Sequence, residues 1–343
     1  MKKIVSDRSK LDVSKWRSFV LSHPHGNIFQ TPDIYELYQA TENDIPIIIA
    51  VINEKDELEG CLLSVILREY KNVIGSFTAR AIVIGGPLVL NDDINVLQLL
   101  LNELVKITKK EAIYIQFRNL WEWNTETISA FDKYGFIFEE HLDIIHDLSI
   151  DLNEQWNNVH KGRRKNIKKA ISGGIDLVEV NTIDEYMKSI ELVETTYQRV
   201  GLPHPSNHFF MEAFSILKSQ KELLKIFNAE DVEGQVIGTR LVLCYKDMIY
   251  DWYAGSDAQE NAKYPNDFLP WKIFEWGHNN GYSVFDFGGA GKPGVPYGVR
   301  DYKLKFGGKL VNYGRFERVN KPLMMKIGKI GICFYKKIKY VRK

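Results

Sequence analysis

The stretch IYDWYAGSDAQENAKYPNDFLPWKIFEWGHNNGYSVFDFGGAGKPGVPYGVRDYKLKFGGK, residues 249–309, decides how the rest of the chain reads. It opens on a strand rich in Tyr and Trp, IYDWYAGS. Pro265 and Pro270 mark the start of a helix whose Phe268, Trp271, Ile273, Phe274 and Trp276 fall mostly on one face. Gly281 ends that helix, and SVFDFGG is a second strand closing on a glycine pair. A Gly/Pro-rich loop then leads into DYKLKFGGK, where two lysines bracket an apolar residue. Strand, helix, strand and Gly loop make a βαβ unit. Open α/β sheets take ligands where strands run out into loops, and the aromatic and polar residues of this stretch sit there.

Working outward, the preceding half repeats the same order. IPIIIAVINEKDELEGCLLSVILREY is a β-hairpin turning at an acidic, Gly-containing loop, and LKIFNAEDVEGQVIGTRLVLCYKD is its counterpart. NVLQLLLNELVKITKK is a helix with Leu97, Leu100, Leu101, Leu104 and Ile107 at helical spacing, and it leads into the strand AIYIQFRN. That strand precedes SVFDFGG at an offset that FDKYGF and KLKFGG nearly share, so the chain reads as tandem copies of one α/β domain. The expected division is residues 1–152, residues 153–320, and a tail, 321–343.

The bounds agree with two domains. A chain of 343 residues with 45% hydrophobic content can give each its own core. A formal net charge of +1 excludes a globally polyanion-binding protein, but charge is locally concentrated. HKGRRKNIKKA carries Lys161, Arg163, Arg164, Lys165, Lys168 and Lys169 on an expected helix, where Lys165, Lys168 and Lys169 can share a face. The tail holds eight basic residues and no acidic one, interleaved with apolar residues. That suits an amphipathic helix at an anionic membrane surface or against RNA phosphate, or a docked terminal helix with solvated lysines. Cys61, Cys244 and Cys333 have no metal-ligand spacing and an odd count, so they read as core thiols in a reducing compartment. No apolar signal segment or bilayer-length run is visible, and the expected location is the cytoplasm, at the inner face of the membrane.

WYAGS, the helix FLPWKIFEWGHNNGY, the strand FDFGG and the closure YK-x-x-FGG, on tandem copies of a GNAT-like fold, resemble the Fem-type aminoacyltransferases. The resemblance covers nearly the whole chain and is most specific in residues 249–309. It implies an N-acyltransferase that moves an aminoacyl group from aminoacyl-tRNA to an amine of a peptidoglycan precursor. It implies two GNAT-like domains without a coiled-coil arm. By position it points to Lys303 of the closure, with Tyr302 as its aromatic partner, and to Arg199, Tyr197 and His208 in the segment TTYQRVGLPHPSNHFF as acceptor contacts. Gln30 and Tyr35 follow from IFQTPDIYELY. One departure is Gln116-Phe117, where members of the family often carry Asp-Pro, so an acidic residue is missing there.

The residues themselves allow this chemistry. Acyl transfer to an amine needs a neutral nitrogen, a positioned donor and a stabilised oxyanion, without a metal. The histidines form no metal motif, and GxSxG is absent, which favours direct attack over a covalent intermediate. Lys303 and Lys305, read as alternating positions of a strand, would share a face toward donor or acceptor, or be solvated. Asp286 would orient the amine or hold the backbone of its own Gly turn. Trp252 and Tyr253 are ligand platforms or core. Arg240, within the apolar strand GTRLVL, is an anion contact or half of a structural ion pair. No Gln/Arg-x-x-Gly-x-Gly/Ala loop precedes the helix in either copy, which disfavours coenzyme A and leaves aminoacyl-tRNA or an acyl carrier protein as donor. Two other readings remain: a GNAT-like transferase acylating an amino sugar or small amine, and a non-catalytic protein that binds an envelope precursor or RNA.

Overall fold

Apolar runs separated by acidic turns give antiparallel ladders, and the amphipathic segments between them cover the faces. The computed structural model describes residues 2–68 and 78–327, which fall into two units, each with its own sheet. The first unit starts with β1 (Lys3–Val5), α1 (Val13–Ser22) and α2 (Pro32–Ala40). The hairpin β2 (Ile45–Ile52) and β3 (Leu58–Leu67) follows, then β4 (Arg80–Ile84) and a short β5 (Leu88–Val89). α3 (Ile94–Thr108) leads to β6 (Tyr114–Arg118), α4 (Thr125–Lys133) and β7 (Ile137–Glu139). Asp93 caps α3 by accepting from the amides of Asn95 and Val96, and Leu97, Leu100, Leu101 and Leu104 bury its inner face. β4 and β6 run parallel, in register from Arg80–Tyr114 to Ile84–Arg118.

The second unit repeats this plan. It runs through β8 (Asp143–Asp147), α5 (Leu152–Asn158), α6 (Lys161–Ser172), β9 (Asp176–Glu179), α7 (Ile183–Val200) and α8 (Asn207–Ala213). The meander β10 (Leu224–Glu230), β11 (Val236–Tyr245) and β12 (Met248–Ser256) comes next, then α9 (Pro265–Asn279), β13 (Val284–Gly289), α10 (Gly298–Leu304) and β14 (Lys309–Val311). Its sheet order is β14-β8-β13-β12-β11-β10-β9, with β12 and β13 parallel. α7 crosses β12 at Gly255, where a Cβ would stand 2.5 Å from the backbone of Leu192 and Val193. Only glycine permits that approach, which accounts for the AGS of the opening stretch.

The boundaries differ from expectation. The division falls after Glu140 and after Asn312, and β15 (Arg315–Val319) returns to the first sheet between β6 and β7. The two closing pairs are therefore not hairpins within one copy. β7 stays in the first sheet while β8 joins the second, and β14 stays in the second while β15 joins the first. Packing decides this. Ile144 and His146 of β8 are buried in the second unit, with the His146 ring stacked 4.0 Å from Phe274. Phe316 of β15 stacks 3.9 Å from Phe131 in the first core. The DYKLK segment is also corrected, from strand to helix α10, because Tyr302 and Phe306, one turn apart, turn their rings toward each other at 5.3 Å. Of the expected tail, residues 328–343 lie outside the described residues. Among the described residues no helix is long and apolar enough to cross a membrane.

Phe316→Ala removes a fully buried ring from the far end of the chain and should destabilise the first unit by about 3–5 kcal/mol. Urea unfolding followed by near-UV circular dichroism checks this, and an unchanged midpoint would contradict the placement of β15.

Candidate active site

The two parallel pairs differ in one respect. In the first unit β4 and β6 stay paired to their ends, and the Gly85 amide adds a further bond to the Arg118 carbonyl. In the second unit β12 and β13 share only the rungs Met248–Val284, Ile249–Phe285 and Tyr250–Asp286, and then no more. A cleft of about 580 Å³ lies along this part of β12 and is also lined by α7, α10 and Phe287 of β13. A β-bulge shapes it: Leu241 faces Tyr253 while Val242 faces Asp251, leaving Trp252 as the extra residue. Asp251, Trp252 and Tyr253 consequently all reach the cleft, which strict strand alternation would forbid.

A polar network underlies the aromatic lining. Arg240 forms an ion pair with Asp251 through Nη1, and its Nη2 donates to the Tyr302 hydroxyl at 3.2 Å. Tyr302 in turn donates to the Asn266 carbonyl at the start of α9. Arg163 of α6 lies 4.6 Å over the Tyr302 ring and pairs with Asp267, whose second oxygen accepts from Asn166 at 2.7 Å. The Asp251 side chain is only 9% exposed, and its Oδ1 has no hydrogen-bond partner. Burial pushes the Tyr197 phenol up to about 12, helped by the nearby Asp251 charge, so it stays neutral.

Lys303 is tied down. Its Nζ donates to the carbonyls of Phe287, Gly288 and Gly289 at 2.6, 3.2 and 3.1 Å. Burial lowers its pKa, opposed by the carboxylates of Asp251 and Asp143. Asp286 is fully buried, with Oδ1 accepting the Gly288 amide at 2.7 Å. Its pKa is raised well above the ordinary value, first by burial and then by Asp143, a carboxyl within hydrogen-bonding reach of it. Two carboxyls so close share a proton more readily than they both ionise.

Of the residues expected from sequence, Tyr197, Arg199, Arg240, Trp252, Tyr253 and Lys303 come together on this one cleft. Asp286 holds its own Gly turn and does not line it. Lys305 is exposed at the end of α10 and is corrected: residues two apart on a helix point about 200° apart, so it cannot share a face with Lys303. His208 stands half-exposed beside Glu212 on α8, outside the cleft. Gln30 is corrected too. It is fully buried in the first unit and spent on backbone, donating to the Leu63 and Ile84 carbonyls and accepting from the Leu63 amide. Tyr35 is core there, edge-on to Trp16 at 6.0 Å. Gln116 sits within the first sheet, bonded to Glu317 and Arg118. Sequence reasoning missed Asp251, Asn266 and Arg163. An acid in an aromatic strand, beside a strand with a buried Arg, was the available signal for Asp251. Among the described residues no cluster of His, Cys, Asp and Glu could hold a metal ion.

A second concavity of the same unit, about 870 Å³, is lined by Trp156, Lys161, Arg164, Lys165, Lys168, Lys169, Ser172 and Gly173. The expected shared face of Lys165, Lys168 and Lys169 on α6 is thus present. None of Lys161, Lys165, Lys168 and Lys169 pairs with a described carboxylate.

The shared proton has a measurable consequence. Folded Asp286 holds a proton that the unfolded chain releases above about pH 4. Its contribution to stability is full below that pH and is lost as pH rises through the raised folded value. Asp286→Asn carries no such proton, so its melting temperature should fall less steeply than that of the wild type between pH 4 and 8. Parallel pH profiles would contradict the assignment.

Comparison with known proteins places this architecture. Residues 157–304 match the family model described as an acetyltransferase (GNAT) domain. No curated protein sequence matches the chain. Among solved structures, FemX superposes with a TM-score of 0.74 at 16% identity, over 95% of this chain and 100% of that one. A tandem GNAT protein from the clavulanic acid biosynthesis pathway gives 0.61 at 11% identity, over 93% and 99%. L-PGS from Bacillus licheniformis gives 0.58 at 14% identity, over 93% and 96%. The cleft and the matched segment coincide, and the chain has a tandem GNAT-type fold similar in architecture to FemX, with its acetyltransferase (GNAT) domain match in the second unit.

Proposed function

We propose that this protein is an N-acyltransferase of the Fem type, moving an aminoacyl group from aminoacyl-tRNA to an amine of a peptidoglycan or other cell-envelope precursor by direct attack. The observation that carries the reading is the cleft where β12 and β13 part, furnished with Lys303, Tyr197, Tyr253 and the Arg240–Asp251 pair. Direct attack is supported by the lining. Its two aliphatic hydroxyls are engaged, Ser256 Oγ accepting from Asn266 and Thr196 Oγ1 donating to the Ser256 carbonyl. Neither has a histidine beside it among the lining residues. Cys244 is buried and its thiol is pushed up to about 12, far from a thiolate at neutral pH.

Two features favour an RNA-borne donor over coenzyme A. The first turn of α9, where a GNAT-like pyrophosphate site would lie, carries Pro265 without an amide proton and the carboxylate of Asp267. The α6 groove instead offers unneutralised lysines beside the Trp156 ring, a chemistry matched to phosphodiesters. Lys303, with its three donors on the turn carbonyls, acts by holding the wall of the cleft and by its positive charge near the developing oxyanion.

The test is transfer of label from a pool of charged tRNAs to a lipid extract of envelope precursors. Transfer supports the proposal; transfer only from coenzyme A or acyl-carrier donors sinks it in favour of an amino-sugar or small-amine acylase. Lys165→Glu with Lys168→Glu should raise the KM for charged tRNA roughly tenfold or more at moderate salt and shrink its salt dependence. It should leave kcat near the wild-type value, and an unchanged KM would remove the groove from the donor's path.

A further inference from the structure

The chain leaves β15 into a short helical stretch, residues 322–327, that takes no part in either concavity of the second unit. Its base is pinned to the first unit. The amides of Asn320 and Lys321 both donate to the Ile113 carbonyl, at 2.8 and 3.0 Å. The Asn320 side chain donates to the carbonyls of Thr108 and Ala112, at 3.2 and 3.3 Å. Lys321 Nζ donates to the Lys110 carbonyl, which sets the stretch beside the end of α3. Yet this firmly held stretch turns apolar side chains outward. Leu323 and Ile327 are 76% and 60% exposed, and Val319, at the end of β15, is 39% exposed. Leu323 and Ile327 lie one helical turn apart and share a face.

The charge beside these side chains has one sign. Lys109, Lys110 and Lys326 are exposed, and neither they nor Lys321 pair with a described carboxylate. Glu111, the acid at that end of α3, is engaged by Arg68 at 2.9 Å. Residues 328–343 lie outside the described residues, and their composition adds six basic residues and no acidic one.

We propose that this corner of the first unit docks on an anionic lipid bilayer. Leu323 and Ile327 enter the boundary between headgroups and acyl chains, while Lys109, Lys110, Lys321 and Lys326 meet lipid phosphates. Exposed apolar side chains beside uncompensated cations are complementary to a surface that offers apolar depth beneath negative charge. RNA would use the lysines but gain nothing from Leu323 and Ile327, and none of these residues is an aromatic platform for a base. A second copy seated on the same face would set lysines against lysines. The docking surface stands apart from the transferase reading and holds whatever group the cleft transfers.

Flotation of the full chain with vesicles tests this. Phosphatidylcholine vesicles containing about a third phosphatidylglycerol should hold the protein roughly tenfold or more tightly than phosphatidylcholine alone. Leu323→Ser with Ile327→Ser should weaken binding to the anionic vesicles roughly fivefold or more, with melting temperature and tRNA affinity unchanged. Lys109→Ala with Lys110→Ala should weaken it roughly tenfold or more and reduce its sensitivity to salt. Failure of the wild type to bind anionic vesicles overturns the proposal, as does equal binding to both lipids. Wild-type vesicle binding by the serine pair does so too, since the contact would then belong to another basic surface. If the lysine pair loses tRNA affinity and keeps vesicle binding, the surface belongs to RNA and the proposal fails. It fails equally if the serine pair changes the oligomeric state in sedimentation and leaves vesicle binding intact, because the occupant is then a second copy.

Discussion

Two parallel strands that part after three rungs leave backbone groups that must find other partners. In the second unit this requirement organises the site. The carbonyls of Phe287, Gly288 and Gly289 take the Lys303 ammonium, and the Gly288 amide takes Asp286. Gly288 has φ +67, a conformation that a side chain would strain. Lys303 therefore keeps the cleft open as much as it charges it. A lysine fully engaged in this way is a poor proton shuttle.

The first unit answers the same requirement oppositely. There the parallel pair stays closed, and the side chain of Gln30 bridges β3 and β4 at Leu63 and Ile84. A neutral amide suits that task, since it offers donor and acceptor together to two strands and leaves no charge to bury. One copy of the repeat has thus spent its polar residues on closing the sheet, and the other on opening it.

The sequence displayed the repeat, the hairpins and the face of α6 because each rests on local periodicity, and it displayed much of the cleft because Trp252, Tyr253 and Lys303 lie in one distinctive stretch. Strand exchange was hidden. Nothing local tells Asp143–Asp147 which of two hydrophobic cores will take Ile144; that is settled by Phe274, far along the chain. The helical state of DYKLK was hidden for a related reason: two lysines around one leucine suit either period, and the contact between Tyr302 and Phe306 decides. Asp251 escaped because a bulge, invisible in composition, turns three successive side chains to one side.

The near-neutral whole conceals a deliberate separation of charge within the second unit. In the cleft three cations are committed: Arg240 to Asp251 and Tyr302, Arg163 to Asp267, Lys303 to carbonyls. On the outer face of α6 the lysines pair with no described acid. Adjacent residues of one helix, Arg163 and Arg164, face these two settings. Committed cations preorganise a reaction site, because they need not move as charge develops, whereas uncommitted ones on a surface gain most from displacing counterions on a polyanion. The same helix thereby serves two different physical purposes, and the turn of α-helix geometry between consecutive positions is what keeps them apart.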